Sequence, residues 1–279
     1  MFPRQLRIGA SVGLFVAASA HSGWAQELLL QIRPRAGDTL RMRLDQETDY
    51  TGGGIVRTGA GPGSLVTRMA MFSRAIVEGE SNAETAVLAV TDSVQFRTTD
   101  HRGAAAARQL EAQLKGQRVR FRVTPEGMLA MEPAGGAARE VAHVVSLMPA
   151  TFPKGPITVG ATWMRDMPLP SGTQVAEQLS GMLHVTLRLD SVTHAGDLAF
   201  VSMRGEMLPA TGPGAASQAV LEKGTVTGTM VLDRKRGWLS ESWFNIVVMT
   251  SVTTPPAAAA LRMQMRITQH MRTAERRER

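Results

Sequence analysis

Residues 261–271, LRMQMRITQHM, carry the pattern that decides the fold class. Leu261, Met263, Met265, Ile267 and Met271 fall on one side of an extended chain, and Arg262, Gln264, Arg266, Thr268 and His270 on the other. Side chains alternate across a strand, so the segment reads as a strand with one buried and one wet face. Working outward, Leu183, Val185, Leu187 and Leu189 alternate with His184, Thr186, Arg188 and Asp190, and Val119, Phe121 and Val123 with Arg118, Arg120 and Arg122. One-sided alternation marks antiparallel sheets, because parallel strands covered on both faces are apolar throughout. The turns agree. Pro125-Glu126-Gly127, His194-Ala195-Gly196-Asp197 and residues 233–237 each separate two strand patterns. Gly and Asp tolerate the tight or left-handed backbone that a hairpin needs. The expected fold is mainly β, a curved antiparallel sheet or half-barrel.

Two segments break the alternation. Residues 104–115 are Ala-rich, place Leu110 and Leu114 four apart and stop at Gly116; residues 137–148 gather Val141, Val144, Val145 and Met148 and stop at Pro149. Both predict short helices of about three turns. Residues 51–64 and 209–217 are glycine-rich and read as surface loops. A phosphate-cradling loop leads from strand into helix and carries a Gly-Lys-Ser/Thr signature; residues 51–64 run from strand to strand without it.

The strand after Gly237 differs from the others. Counting by twos puts Leu239, Trp243, Val247 and Met249 on one face and Trp238, Phe244, Ile246 and Val248 on the other. Both faces are apolar, so the strand is expected to be central, with Trp243 buried and a second layer, residues 137–148 being the best candidate, across one face.

The two halves read as related. Gly37-Asp38-Thr39-Leu40 opens the first and Gly160-Ala161-Thr162-Trp163 the second. Each start precedes a predicted hairpin (68–96 and 182–207), then a Lys-Gly pair (Lys115-Gly116, Lys223-Gly224), then a turn closing on Gly127 or Gly237. Order is kept while spacing drifts, which fits halves 27–135 and 156–272 as an internal duplication. It fits equally a plain meander, which repeats strand and turn by itself. With the Gly37-Asp38-Thr39 start, Val159-Gly160-Ala161-Thr162-Trp163 and residues 233–237, the chain resembles a family of exported bacterial β-rich proteins of unknown function. That resemblance implies a mostly antiparallel fold over residues 27–272 and no activity. By layout alone the chain is also similar to the lipoprotein-carrier type of unclosed β-barrel.

Composition narrows the function classes. The chain has 279 residues, no Cys and a net charge of +7. Without Cys there is no disulfide framework, thiolate nucleophile, Cys-ligated metal or lipid-modified cysteine, and the apolar core must hold the fold. Residues 1–25 read as a secretory signal peptide. Arg4 and Arg7 precede an uncharged apolar run, 8–18, and a small-residue exit ending Gly23-Trp24-Ala25. The run is shorter than the ~20 residues of a membrane span. A single β-rich domain, 26–272, is expected in the periplasm or outside the cell, followed by a basic tail, 273–279. Nucleic acid is not an expected partner, because the basic excess is diffuse and partly in that tail; no transmembrane segment is expected.

The sequence carries no recognisable catalytic set. No His-x-His pair, Gly-x-Ser-x-Gly elbow or Ser-x-x-Lys pair occurs. His184 and His270 lie on wet strand faces, and Glu78, Glu80 and Glu84 crowd a turn. No metal or other cofactor is implied. Methionine is the odd abundance, at 17 residues. Met69 with Met71, and Met263 with Met265, each put two thioethers on one strand face. Such residues fill irregular cores, adapt to loosely defined apolar guests, or bind copper(I) when dense with His. The leading expectation is a non-enzymatic, exported binding or envelope-associated protein. It would hold an apolar or lipid-like ligand on the concave face of its sheet, against Met69, Met71, Met263, Met265 and Trp243, with an envelope protein as a further partner. The alternative is a structural or protein-interaction module with a filled core.

Overall fold

The computed structural model describes residues 27–52, 63–81, 83–100, 103–131, 151–168, 181–209, 219–252 and 261–274. The signal pattern, the expected helix at 137–148 and most of both glycine-rich loops lie outside them. Among the described residues eleven strands follow in chain order: β1 (Thr39–Gly52), β2 (Gly63–Glu80), β3 (Thr85–Thr98), β4 (Arg118–Val123), β5 (Leu129–Met131), β6 (Thr162–Pro168), β7 (Gly181–Val192), β8 (Leu198–Pro209), β9 (Ala219–Asp233), β10 (Trp238–Val252) and β11 (Leu261–Thr273). Among the described residues one helix, α1 (Ala104–Leu114), stands between β3 and β4. All strands belong to a single antiparallel sheet of order β5-β4-β3-β2-β1-β11-β10-β9-β8-β7-β6. Each half is a meander, and β1 and β11 join them at the centre.

The alternation read from sequence survives in burial. On β4, Val119, Phe121 and Val123 are buried and the three arginines between them exposed. On β11, Met265, Ile267 and Met271 are buried while Arg262, Arg266 and Arg272 are exposed. The buried sides of all the long strands join one apolar cluster.

The sheet rolls up at one end. The β4–β5 and β9–β10 turns belong to strands at least five positions apart, a flat separation of about 24 Å or more at ~4.8 Å per strand. Yet the Ile32 N–H donates to Pro125 O (2.8 Å) and the next N–H, of Arg33, donates to Gly237 O (2.7 Å). Consecutive Cα atoms are about 3.8 Å apart, so the two turns sit within roughly 10 Å of each other. Residues 27–33 thus act as a strap whose Leu28, Leu30 and Ile32 are buried. A second segment laces the sheet edges. The Phe152 N–H donates to Glu126 O beside β5, while Trp163 Nε1 and Arg165 Nη2 of edge strand β6 donate to Thr151 O and Phe152 O. The edges are drawn together around a fully buried Phe152. Among the described residues no strand pairing closes the barrel.

Helix α1 takes the place that β4 leaves open. β4 pairs only with residues 85–90 of β3. Beyond that, the free Phe96 N–H donates to the Glu111 carboxylate (2.5 Å), and Leu114 is buried. The two halves start through the same turn. Asp38 N–H donates to Arg35 O, Gly37 N–H to Val77 O, and Val77 N–H to Asp38 O. Ala161, Gly160 and Leu189 repeat these three bonds with Thr158, Leu189 and Ala161 as acceptors. Gly37 and Gly160 have φ of 86° and 89°, which glycine adopts without a Cβ clash.

Two expectations change. Trp243 is not buried: it is 41% exposed, and Trp238 is the buried tryptophan at 2%. The reason is a β-bulge. Leu239 pairs with Leu232 but Glu241 with Val231, so Ser240 is an extra residue and shifts the parity of the strand. Leu239 then points inward together with Ser242, Phe244, Ile246 and Val248. β10 is central, as expected, yet its second face is outer surface. At the C-terminus the sheet outlasts the expected tail boundary. β11 runs through Thr273, and the Ala274 N–H donates to Arg41 O.

Candidate functional site

The sheet offers two faces of opposite chemistry. Met69 and Met71 of β2 and Met265 of β11 share the inner face; Met263 stands on the same face one rung from Met265, partly covered. β1 runs between the two pairs. Leu44 lies between Met71 and Met271, and Tyr50 between Leu65 and Met265. Met69, Met71 and Met265 are 7%, 4% and 6% exposed, so they are packed against neighbours. Packing is equally tight farther along. A Cβ on Gly224 would meet the Met207 side chain, and one on Gly228 would meet Phe244 Cβ (2.8 Å) and Met203 Cε (3.0 Å). Four of the five expected ligand residues therefore share the inner face, with Met69 and Met71 several rungs from Met263 and Met265, and the fifth, Trp243, is on the opposite face.

One polar feature of the inner face escaped the sequence reading. Gln46 and Gln269 are directly paired across β1 and β11, between Met69 and Phe244. Gln46 Nε2 reaches Thr48 Oγ1 at 3.4 Å, but both Oε1 atoms are buried without a donor. Only strand pairing sets these two amides side by side.

The outer face carries the charge, and it carries the cavity. An open groove of about 420 Å³ runs over β3, β2, β1 and β11. Its floor is Ala70, the one small side chain on its rung, with Gln95 on one side and Asp45, then His270, on the other. Arg68, Arg97 and Glu47 form the next rung, and Arg43 closes the other end. Long side chains around a methyl group make the depression. Arg43 forks onto Asp45 with contacts of 2.8 Å and also stands 5.2 Å over the Phe72 ring. That hydrogen bond first, and the Asp45 charge second, hold the guanidinium above its usual value. Arg68 Nε donates to Glu47 at 2.6 Å, and Arg272 stands 3.7 Å from Asp45.

Both wet-face histidines have carboxylate partners that sequence spacing did not reveal. His270 Nε2 lies 2.6 Å from Glu241 and His184 Nδ1 2.6 Å from Asp166, each on a neighbouring strand. The crowded acids are matched by arginines, Glu78 with Arg120, Glu80 with Arg33 and Glu84 with Arg122. Among the described residues no three of His, Asp and Glu converge as a metal site, and no helix is long and apolar enough to cross a membrane.

The chain matches no protein-family model and no curated protein sequence. Similar solved structures include lipovitellin, in a study of its lipid–protein interactions, at 8% identity and a TM-score of 0.47. This chain aligns over 88% of its length and spans about a quarter (26%) of the lipovitellin chain. DynF from the dynemicin biosynthesis pathway of Micromonospora chersina aligns at 8% identity, with 94% and 92% of the two chains covered and a TM-score of 0.22. An outer membrane channel from Pseudomonas putida F1 aligns at 7% identity, with 86% and 96% covered and a TM-score of 0.21. The sequence resemblances extend no further than the β-rich, unclosed layout.

Proposed function

We propose that this is a non-enzymatic, exported binding module that uses its Met-rich face as a filled core and makes its contacts through the outer face. One observation carries the reading: the inward methionines are packed at a few per cent exposure while the 420 Å³ groove opens on the other side. Ligand sites are concave and bring a few polar groups together over a shaped floor, which describes the outer groove and not the inner face. Export rests on the N-terminal pattern. The test is organic extraction of protein purified without detergent, followed by mass spectrometry. Protein free of lipid in repeated preparations is expected; a lipid recovered in stoichiometric amount overturns the filled-core reading.

A second reading has its own observation. The Gln46 and Gln269 carbonyl oxygens lack donors inside a thioether-rich wall. They would suit an apolar guest with one hydroxyl head, admitted if the strap at 27–33 lifts and the methionines repack. Recovery of such a lipid, and its loss in Gln269→Leu, is the result that favours this reading over the first.

A further inference from the structure

The arginines of the outer face are arranged against their own repulsion. Three rungs at the centre of the sheet set arginine directly opposite arginine: Arg41 with Arg74, Arg43 with Arg272, and Arg68 with Arg97. Like charges directly opposite destabilise a sheet. The carboxylates on or next to these rungs are already committed. Asp92 takes Arg74, Asp45 serves both Arg43 and Arg272, and Glu47 takes Arg68. Arg97 receives none: among the described residues no ion pair or side-chain hydrogen bond is made by it. It projects at the rim of the groove beside Arg68, next to the Ala70 floor.

We propose that the outer groove binds a phosphate group between Arg68 and Arg97, with a small hydroxylated body lying over Ala70. A guanidinium fork fits phosphate bidentately, and two forks on adjacent strands can divide the oxygens of one phosphate. The volume of about 420 Å³ exceeds a bare phosphate and leaves room for a polyol or sugar. The groups around the floor suit hydroxyls: the Gln95 amide, the Asp45 carboxylate and His270, which Glu241 holds at 2.6 Å. The shared chemistry is a phosphorylated polyol, met either as a free molecule or as a lipid headgroup. The proposal rests on the outer face being the working face; the lipid extraction above tests the core separately, so either can fail without the other.

The full chain is titrated by calorimetry with sn-glycerol 3-phosphate at fixed ionic strength. In parallel it is floated with vesicles of phosphatidylglycerol in phosphatidylcholine. Binding is expected in at least one arm, the first marking a free ligand and the second a headgroup. Arg68→Gln and Arg97→Gln should each weaken it about tenfold or more, the range of a lost charge-assisted hydrogen bond. Arg188→Gln, on β7 and away from the groove, should leave it unchanged. Ala70→Leu keeps every charge and fills the floor, so it should abolish binding of the glycerol ester; circular dichroism confirms that each variant folds. The proposal is overturned if neither probe binds or if glycerol binds as well as its phosphate. Equal losses in Arg188→Gln and Arg97→Gln would also overturn it, as would duplex DNA binding that Ala70→Leu does not affect, since both are marks of a merely basic surface.

Discussion

Replacing the two tryptophans of β10 one at a time tests the bulge at Ser240, because that extra residue puts Trp243 on the face opposite Leu239 while Trp238, before the bulge, stays buried. Trp238 is 2% exposed. A buried aromatic removes about 150–250 Å² from water, worth about 4–6 kcal/mol at ~25 cal/mol/Å². Part of this is offset, since Trp238 Nε1 is buried without an acceptor, and an unpaired buried donor costs about 1–3 kcal/mol. Trp238→Ala deletes ring and orphan together, so a net loss of about 3 kcal/mol is expected. Trp238→Phe keeps most of the ring and removes the orphan, and should fall within about 1 kcal/mol of the parent protein. Trp243 faces outward across from His270, where cross-strand contacts contribute about 0.2–1 kcal/mol each; Trp243→Ala should cost about 1 kcal/mol. Urea unfolding followed by far-ultraviolet circular dichroism reads all three without depending on the fluorophores removed. Acrylamide should quench parent emission partially, and Trp243→Phe should lose the most quenchable part, leaving the half-buried Trp163 and the buried Trp238. A Trp243→Ala loss equal to or above that of Trp238→Ala would refute the parity shift and, with it, the assignment of the two faces.

The strap gives a second test. Gly237 has φ +61°, and a Cβ there would run into the backbone of Arg33. Gly237→Ala should cost more than the ~1–2 kcal/mol of a left-handed alanine alone and should expose residues 27–33 to proteolysis. Gly37→Ala, with φ +86° and open space around the added carbon, should cost only that backbone term; equal losses would show that the strap does not dock on the turn. A third test concerns pH. The Thr124 hydroxyl first, then the Glu126 N–H and, more weakly, Lys154 and Arg165, hold the Glu126 carboxyl below its ordinary value, and slight desolvation opposes them. A depressed carboxylate contributes stability that is present above the unfolded value of about 4.3 and is lost as pH falls through the folded value. Glu126→Gln should therefore flatten the acid limb of the stability curve. The change should stay below about 1 kcal/mol because the group is largely solvated. A larger loss at pH 7 than at pH 3.5 is the expected sign, and the reverse would rule out the assigned hydrogen bond.

The amino-acid sequence by itself determined the period, and with it most of the fold. Alternation of Leu183 to Leu189, of Val119 to Val123 and along residues 261–271 is a local property, because neighbouring side chains must point to opposite sides of a strand. The turns at 125–127, 194–197 and 233–237 and the helix over 104–114 are local in the same sense. Strand pairing across long separations decided the rest. The join of β1 with β11 brings Asp45 beside His270, residues 225 apart in sequence, and sets Gln46 against Gln269. The lacing of Phe152 to Glu126 and of Arg33 to Gly237 rolls the sheet, and it depends on backbone groups that carry no residue identity. One bulge moved Trp243 outside, since a single extra residue inverts every later position on a period of two. For the same reason the groove was illegible in the chain. Ala70 is an ordinary alanine in sequence, and only its four-strand surround of arginine, glutamate and histidine makes it a floor.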